Sequence, residues 1–201
     1  MSFQKIINSR LGIGVAIGIG KIVPPFLGYI LADLFAKTLS LFKKSGLYRA
    51  ARANQWIVSG KSLSSQSLDR CTQETIRKTA RNIYDFYHHL DNHQAILKRV
   101  TLSQKLIDLL DSRLGGDEGT LMVAPHLSNF DYAGRAIALN GYDVQALSYP
   151  QPGGGYQWQN RLREGIGIDI TPMSTESMRR AKERLYNGGG VITGLERPLP
   201  N

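Results

Sequence analysis

The sequence predicts an α/β chain, with a helical N-terminal region followed by an open, mainly parallel sheet that has helices on both faces. Two observations carry this. Up to about residue 114 the apolar residues recur at helical spacing; then Gly115-Gly-Asp-Glu-Gly119 breaks the pattern, and short apolar runs alternate with amphipathic stretches from Leu121 onward. With 201 residues, 42% of them apolar, the chain has room for one full domain and a smaller region.

Leu11 to Gly20 is an apolar, glycine-rich run, which Lys21 interrupts and Ile22 to Ala32 resumes with Pro24-Pro25 inside. Each half is shorter than the roughly 20 apolar residues that cross a bilayer; only joined through Lys21 would they just reach. Lys5 and Arg10 ahead of the run give it the look of a signal peptide, but no convincing Ala-x-Ala cleavage site follows. From Pro25 onward Phe26, Leu27, Ile30, Leu31, Leu34, Phe35, Leu39, Leu41 and Phe42 recur at helical spacing, with Lys37, Lys43 and Lys44 alongside. That is the pattern of an interfacial amphipathic helix, the alternative being a core helix of an all-α subdomain. Tyr48, Trp56 and Ile57 continue a second basic helix.

Ser59 to Ser67, serine-rich and carrying Gly60, reads as a linker. Leu68 to Leu90 is helical in pattern with Ile76, Ala80, Ile83 and Tyr87 as its buried stripe, and Ala95 to Leu114 gives one or two more helices. His88, His89 and His93 read as surface histidines, because no acidic or Cys partner joins them at ligand spacing.

Charge is distributed unevenly. Residues 1–61 hold nine Lys/Arg against Asp33 alone, a net +8, while the other 140 residues carry +1. Basicity confined to one apolar end points to an anionic membrane surface rather than to nucleic acid. Cys71 is the only cysteine, so neither a disulfide framework nor a cysteine metal site is expected.

In the second half, Leu121 to Ala124 reads as a buried strand, Pro125 closes it, and Ser128 or Asn129 caps a helix over 129–139. Asn140-Gly141 ends that helix and Val144 to Leu147 forms a second strand. Pro150 to Gly155 is a loop, followed by a short helix around Trp158 to Arg163 and a strand from Ile168 to Ile170. A capped helix from Ser174 to Tyr186, the break Gly188-Gly-Gly190 and a strand from Val191 to Thr193 complete the pattern.

His126 falls in the turn after the first of these strands, at the sheet edge where ligand sites of open α/β sheets collect. Asp131 follows five residues later, roughly 140° away on a continuous helix. The Pro-His-Leu-Ser bend would let its carboxylate point back to one imidazole nitrogen, leaving the other to take a proton from a substrate hydroxyl. Ser128-x-x-Asp131 is equally a capping-box-like pattern, and His126 alone equally a solvated loop residue. No Gly-x-Ser-x-Gly elbow supports Ser128 as a nucleophile. Gly153-Gly-Gly155 has neither the Lys-Ser/Thr of a phosphate-binding loop nor a dinucleotide spacing.

His126-Leu-Ser-Asn-Phe-Asp131 resembles the His-x4-Asp/Glu motif of the glycerolipid and lysophospholipid acyltransferase superfamily. Its surroundings are similar to the bacterial branch that contains the lipid A late acyltransferases and the phosphatidylinositol mannoside acyltransferases. The commoner form there reads His-x-Gly-Asn-Trp-Glu, so Ser128, Phe130 and Asp131 are departures, although aspartate occurs in the superfamily. Asn160-Arg161-Leu-Arg163-Glu-Gly165 resembles the block after the second strand, Ser174 to Gly190 the serine-rich helix ending in glycines, and Thr193-Gly-Leu-Glu196-Arg-Pro198 the Asp/Glu-Arg-Pro block. Four blocks in order carry far more than a lone His-x4-Asp.

The resemblance implies acyl transfer from an acyl thioester, acyl-CoA or acyl carrier protein, to a hydroxyl of a membrane lipid or glycolipid, directly and with no metal or redox cofactor. His126 is the implied base, Asp131 its orienting partner and Glu196 a further acidic site residue. Asn160, Arg163 and Arg197 are implied in substrate binding. The expected location is the cytoplasmic face of the bacterial inner membrane, peripheral or with a single anchor. Residues 1–62 form the basic, apolar membrane-associating region and residues 63–201 the acyltransferase domain. Members of this branch usually run on for roughly another hundred residues, so a C-terminal part is expected to be missing. A catalytically inactive lipid-binding fragment or scaffold is the alternative.

Overall fold

The computed structural model describes residues 9–114, 116–125, 129–150, 154–164 and 168–194. It falls into two compact units, up to Leu90 and from Asp91.

The first unit is helical: α1 (Arg10–Ile22), α2 (Pro25–Leu41), α3 (Gly46–Val58) and α4 (Ser65–His88). Ser9, Ser45 and Ser64 cap α1, α3 and α4, each hydroxyl accepting from the backbone N–H three residues on. The long apolar run is two helices because Val23 and Pro24 are extended and Pro25 starts α2, where a missing N–H costs nothing. Tyr84 and His88 of α4 hold this break, the Tyr84 hydroxyl donating to the Val23 carbonyl (2.7 Å) and His88 Nδ1 to the Gly20 carbonyl (2.7 Å).

α1, α2 and α3 all pack on α4. α2 packs mostly through small residues, with Leu39, one of the apolar stripe read from the sequence, turned inward against Tyr48 and Ile76 instead of outward. Gly28, Ala32, Ala36 and Ser40, four apart, are its buried side, and a Cβ on Gly28 would lie 2.1 Å from the Tyr84 ring. The large residues Phe26, Ile30, Leu34 and Leu41 are exposed on the other side. The large apolar residues of the stripe, Leu39 apart, therefore face away from α4.

Three details differ from the sequence reading. Serine caps shorten the linker to 59–64, because Ser64 already starts α4. Ile83 is exposed; the buried stripe runs through Leu68, Thr72, Ile76, Tyr84 and Tyr87, a register set by the small-residue face of α2. His89 is buried rather than on the surface, its Nδ1 donating to the Asp85 carbonyl at 2.9 Å.

Asp69 on α4 receives Arg52 Nε at 2.8 Å and Lys43 Nζ at 2.6 Å. These hydrogen bonds, Arg52 first, hold its carboxyl down to about 2. A carboxyl lowered on folding adds stability above its unfolded value of about 4 and loses it as the pH falls. The helical unit should therefore lose stability from about pH 4 towards pH 2. Urea melts across that window should show a loss of about 1 kcal/mol that Asp69→Asn abolishes, the figure being discounted for the exposure of Lys43 and Arg52.

The second unit opens with α5 (His93–Arg99) and α6 (Gln104–Arg113). Then strands and helices alternate: β1 (Thr120–Ala124), α7 (Phe130–Leu139), β2 (Val144–Ser148), α8 (Gly154–Glu164), β3 (Ile168–Pro172), α9 (Thr175–Tyr186) and β4 (Gly190–Gly194). All pairings are parallel and the order is β1-β4-β2-β3. The chain steps one way from β1 through β2 to β3, then back to β4. Right-handed crossovers therefore put α7 and α8 on one face and α9 on the other.

Side chains confirm this. Ile137 of α7 packs with Val144, Ile168 and Ile170, and Asn160 of α8 bonds Ser148, all on the even-numbered face. Gln145 on the odd-numbered face donates to Thr171 Oγ1 and to the Ser177 carbonyl of α9, and Asp169 there receives Arg180. The predicted α/β architecture with helices on both sides of a parallel sheet is the one found.

Candidate active site

The C-terminal ends of the strands gather one polar cluster. Ala124 of β1 and Gly194 of β4 are in register, so these two strands end side by side. Asp131 sits in the first turn of α7, where the helix N-terminus favours a negative charge. Asn160 and Arg163 lie three apart on α8 and so share its inner side.

Arg163 takes Asp131 in a fork, Nε to Oδ1 at 2.6 Å and Nη2 to Oδ2 at 3.2 Å. Its third nitrogen, Nη1, donates to Asn160 Oδ1 at 3.2 Å. Asn160 Nδ2 in turn donates to Ser148 Oγ at 3.3 Å. The Arg163 and Asp131 side chains are 15% and 20% exposed, so the pair is shielded enough to outweigh an ordinary surface ion pair. The guanidinium also lies 5.6 Å from the centre of the Phe130 ring, a cation–π distance.

Beneath this cluster is a cavity of about 490 Å³ between α7 and the even-numbered face of the sheet. Asn129, Asp131, Ser148, Asn160 and Arg163 line it at the strand ends, whereas Ala133, Ile137, Val144, Ile168 and Ile170 line it further back. That volume is within the ~300–1,000 Å³ of small-molecule sites. A polar end joined to an apolar body suits a ligand with a reactive polar group and a long hydrocarbon tail.

The sequence matches the family described as bacterial lipid A biosynthesis acyltransferase over residues 3–196. The chain belongs to that family. No match was found among curated proteins. The suspected relationship with the late acyltransferase branch is thereby established, and with it an acyltransferase of lipid biosynthesis.

Of the residues singled out in the sequence of this acyltransferase, Asp131, Asn160 and Arg163 come together in one network. His126, Ser128, Glu196 and Arg197 lie outside the described residues. Arg161 is exposed and takes no part in the network.

Two members escaped the sequence reading. Ser148 is the last residue of β2, at the same C-terminal sheet edge as the turn after β1, where ligand sites of open α/β sheets collect. Arg135, one turn after Asp131 on α7, is 3% exposed and lines the same cavity. Burial draws its pKa down against the pull of Asp91 and Asp131. Its spacing from Asp131 was the available signal. Among the described residues no three His, Cys, Asp or Glu side chains are arranged to hold a metal ion.

Proposed function

We propose that this acyltransferase moves a fatty acyl chain from an acyl thioester, acyl-CoA or acyl carrier protein, to a hydroxyl of a lipid or glycolipid acceptor. The single observation that carries the reading is the cavity, whose polar end holds Asp131 and whose apolar body suits an acyl chain. His126 takes the acceptor proton, the oxygen attacks the thioester carbonyl, the C–S bond breaks and the thiolate leaves with that proton. Asp131 orients the imidazole. Glu196 completes the acidic side of the site. His126 and Glu196 each follow, by two positions, the ends of strands that are neighbours in register, which supports their acting together. Arg197 meets the anionic part of a substrate, and Asn160 and Arg163 belong to the same polar end. A thioester is already activated, so the step calls for no metal or redox cofactor.

The acceptor is reached at an anionic membrane surface, the cytoplasmic face of the bacterial inner membrane, by a region within residues 1–62. The outward apolar face of α2 and the +8 charge of the first 61 residues support this. No single described helix is long and apolar enough to cross a membrane; α2 and α3 are so only as a pair, bent by 90° at the break between them.

The test is thiol release from a panel of acyl-CoAs by detergent-solubilised protein, with and without a mixed bacterial lipid acceptor. Acceptor-dependent turnover is expected, and His126→Ala should reduce it by about 10²- to 10⁴-fold. Folded protein inactive with both acyl-CoA and acyl carrier protein donors would sink the reading in favour of a lipid-binding module.

A further inference from the structure

The resemblance reserves Arg163 and Asn160 for binding substrate, yet in the structure both are already engaged. We infer that Arg163 is a positioning residue for Asp131, held in place by Asn160 and by Ser148, and that Ser148 thereby becomes part of the working site. The inference rests on the acyl-transfer reading above.

All three nitrogens of the guanidinium have a partner, two of them on the carboxylate of Asp131 and one on Asn160. Three of its five N–H donors are thus used, and a phosphate could take the Nε–Nη2 edge only by displacing a carboxylate held there by a partly buried fork, which is among the strongest polar contacts a side chain makes. The fork fixes both oxygens of Asp131, and with them the plane of the carboxylate. Each oxygen keeps a further lone pair for an imidazole N–H.

Asn160 is 5% exposed, so leaving its amide unsatisfied would be costly. Its carbonyl oxygen accepts from Arg163, which directs its amino group to Ser148 Oγ. Ser148 is fixed by the sheet: it is opposite Pro172 on β3, and its carbonyl accepts from Met173 N at 3.1 Å. Orientation thus passes from the rigid end of β2 through Asn160 and Arg163 to Asp131. A carboxylate at a helix start would otherwise turn about two side-chain bonds. Small misplacements of catalytic groups can cost on the order of 100-fold in rate.

Arg163→Lys keeps the charge and removes the fork. In the acyl-CoA assay it should lower kcat by roughly 10- to 100-fold while the donor KM moves less than about threefold, because only the reacting geometry is lost. Combined with Asp131→Asn it should add nothing, since it acts through that residue. Ser148→Ala should lower kcat by about three- to tenfold and Ser148→Thr, which restores the hydroxyl, should recover it. If Arg163→Lys fails to melt cooperatively, the Ser148→Ala and Ser148→Thr pair carries the same test.

A raised KM at unchanged kcat would overturn the inference and return Arg163 to substrate binding, with acyl transfer left standing. Additive losses in the double variant, or Ser148→Ala equal to wild type, would overturn it likewise. Wild-type protein without turnover on either donor would remove the acyl-transfer reading and this inference with it.

Discussion

Ile30→Asp together with Leu34→Asp is expected to release the protein from anionic vesicles, with a fall in partitioning of about 10³-fold. Ile30 and Leu34 are 49% and 59% exposed and stand one turn apart in the middle of the outward face of α2. In water such a row of large apolar side chains is a standing cost, since exposed apolar patches beyond a few hundred Å² are rare unless something covers them. A buried aliphatic side chain gains about 1.5–3 kcal/mol, and placing a carboxylate in an apolar medium costs more still. About 2 kcal/mol lost at each of two positions is about three decades in binding.

The substitutions should leave the fold intact, because α2 meets α4 through Gly28, Ala32 and Ala36, on its opposite side. Co-sedimentation with vesicles of phosphatidylglycerol and phosphatidylethanolamine, beside a thermal melt, would measure both. Undiminished sedimentation of a folded double variant would sink the assignment of this face to lipid.

Gly188→Ala should be among the most damaging single substitutions in the α/β unit, costing about 3 kcal/mol or more by cavity-free mechanisms that add together. Gly188 follows the C-terminus of α9 with φ +75°, a conformation that alone costs a residue with a Cβ about 1–2 kcal/mol. The added Cβ would also lie 1.8 Å from the Gly116 carbonyl oxygen, a backbone atom that cannot swing aside. The neighbouring contact at Gly119, whose Cβ would lie 2.1 Å from the Leu185 carbonyl oxygen, leaves no room for the two segments to part. Gly18 is the control: it lies within α1 with nothing near its missing Cβ, so Gly18→Ala should be neutral or stabilising by up to about 1 kcal/mol. Equal urea midpoints for wild type and Gly188→Ala would contradict this account.

The positions of the strands and helices of the second unit were legible because each is short, apolar or amphipathic with a clear period, and closed by glycine, proline or a cap. The burial expected of Leu121 to Ala124 was not found, since Leu121 and Val123 are exposed on the odd-numbered face of this edge strand. Ser174 and Gly188 bracket α9 as their chemistry dictates. Strand order was not legible, since nothing local tells β4 to enter between β1 and β2. In the helical unit the apolar period of α2 was plain, but not its direction. Burial of Gly28, Ala32, Ala36 and Leu39 reveals which side turns inward, and the Gly28 contact with Tyr84 places Tyr84 rather than Ile83 in the buried stripe of α4.

At the site, Asp131, Asn160 and Arg163 were found through a motif. The partnership of Arg163 with Asp131 was hidden because the two are 32 residues apart and meet only through the packing of α7 and α8 on one face.

The strand order also shapes how the chain must fold. β1 pairs with β4 and not with β2, which joins Thr120 to Gly190 across 70 positions. Closing so long a loop is entropically expensive before any ladder bond rewards it, and parallel pairings of this kind form slowly. On the ribosome, β1 waits for residues 190–194 before it gains this neighbour, while β2 and β3 can already join. The half of the site that follows β1 is then the last to assemble, well after the helical unit, complete by Leu90, has left the ribosome.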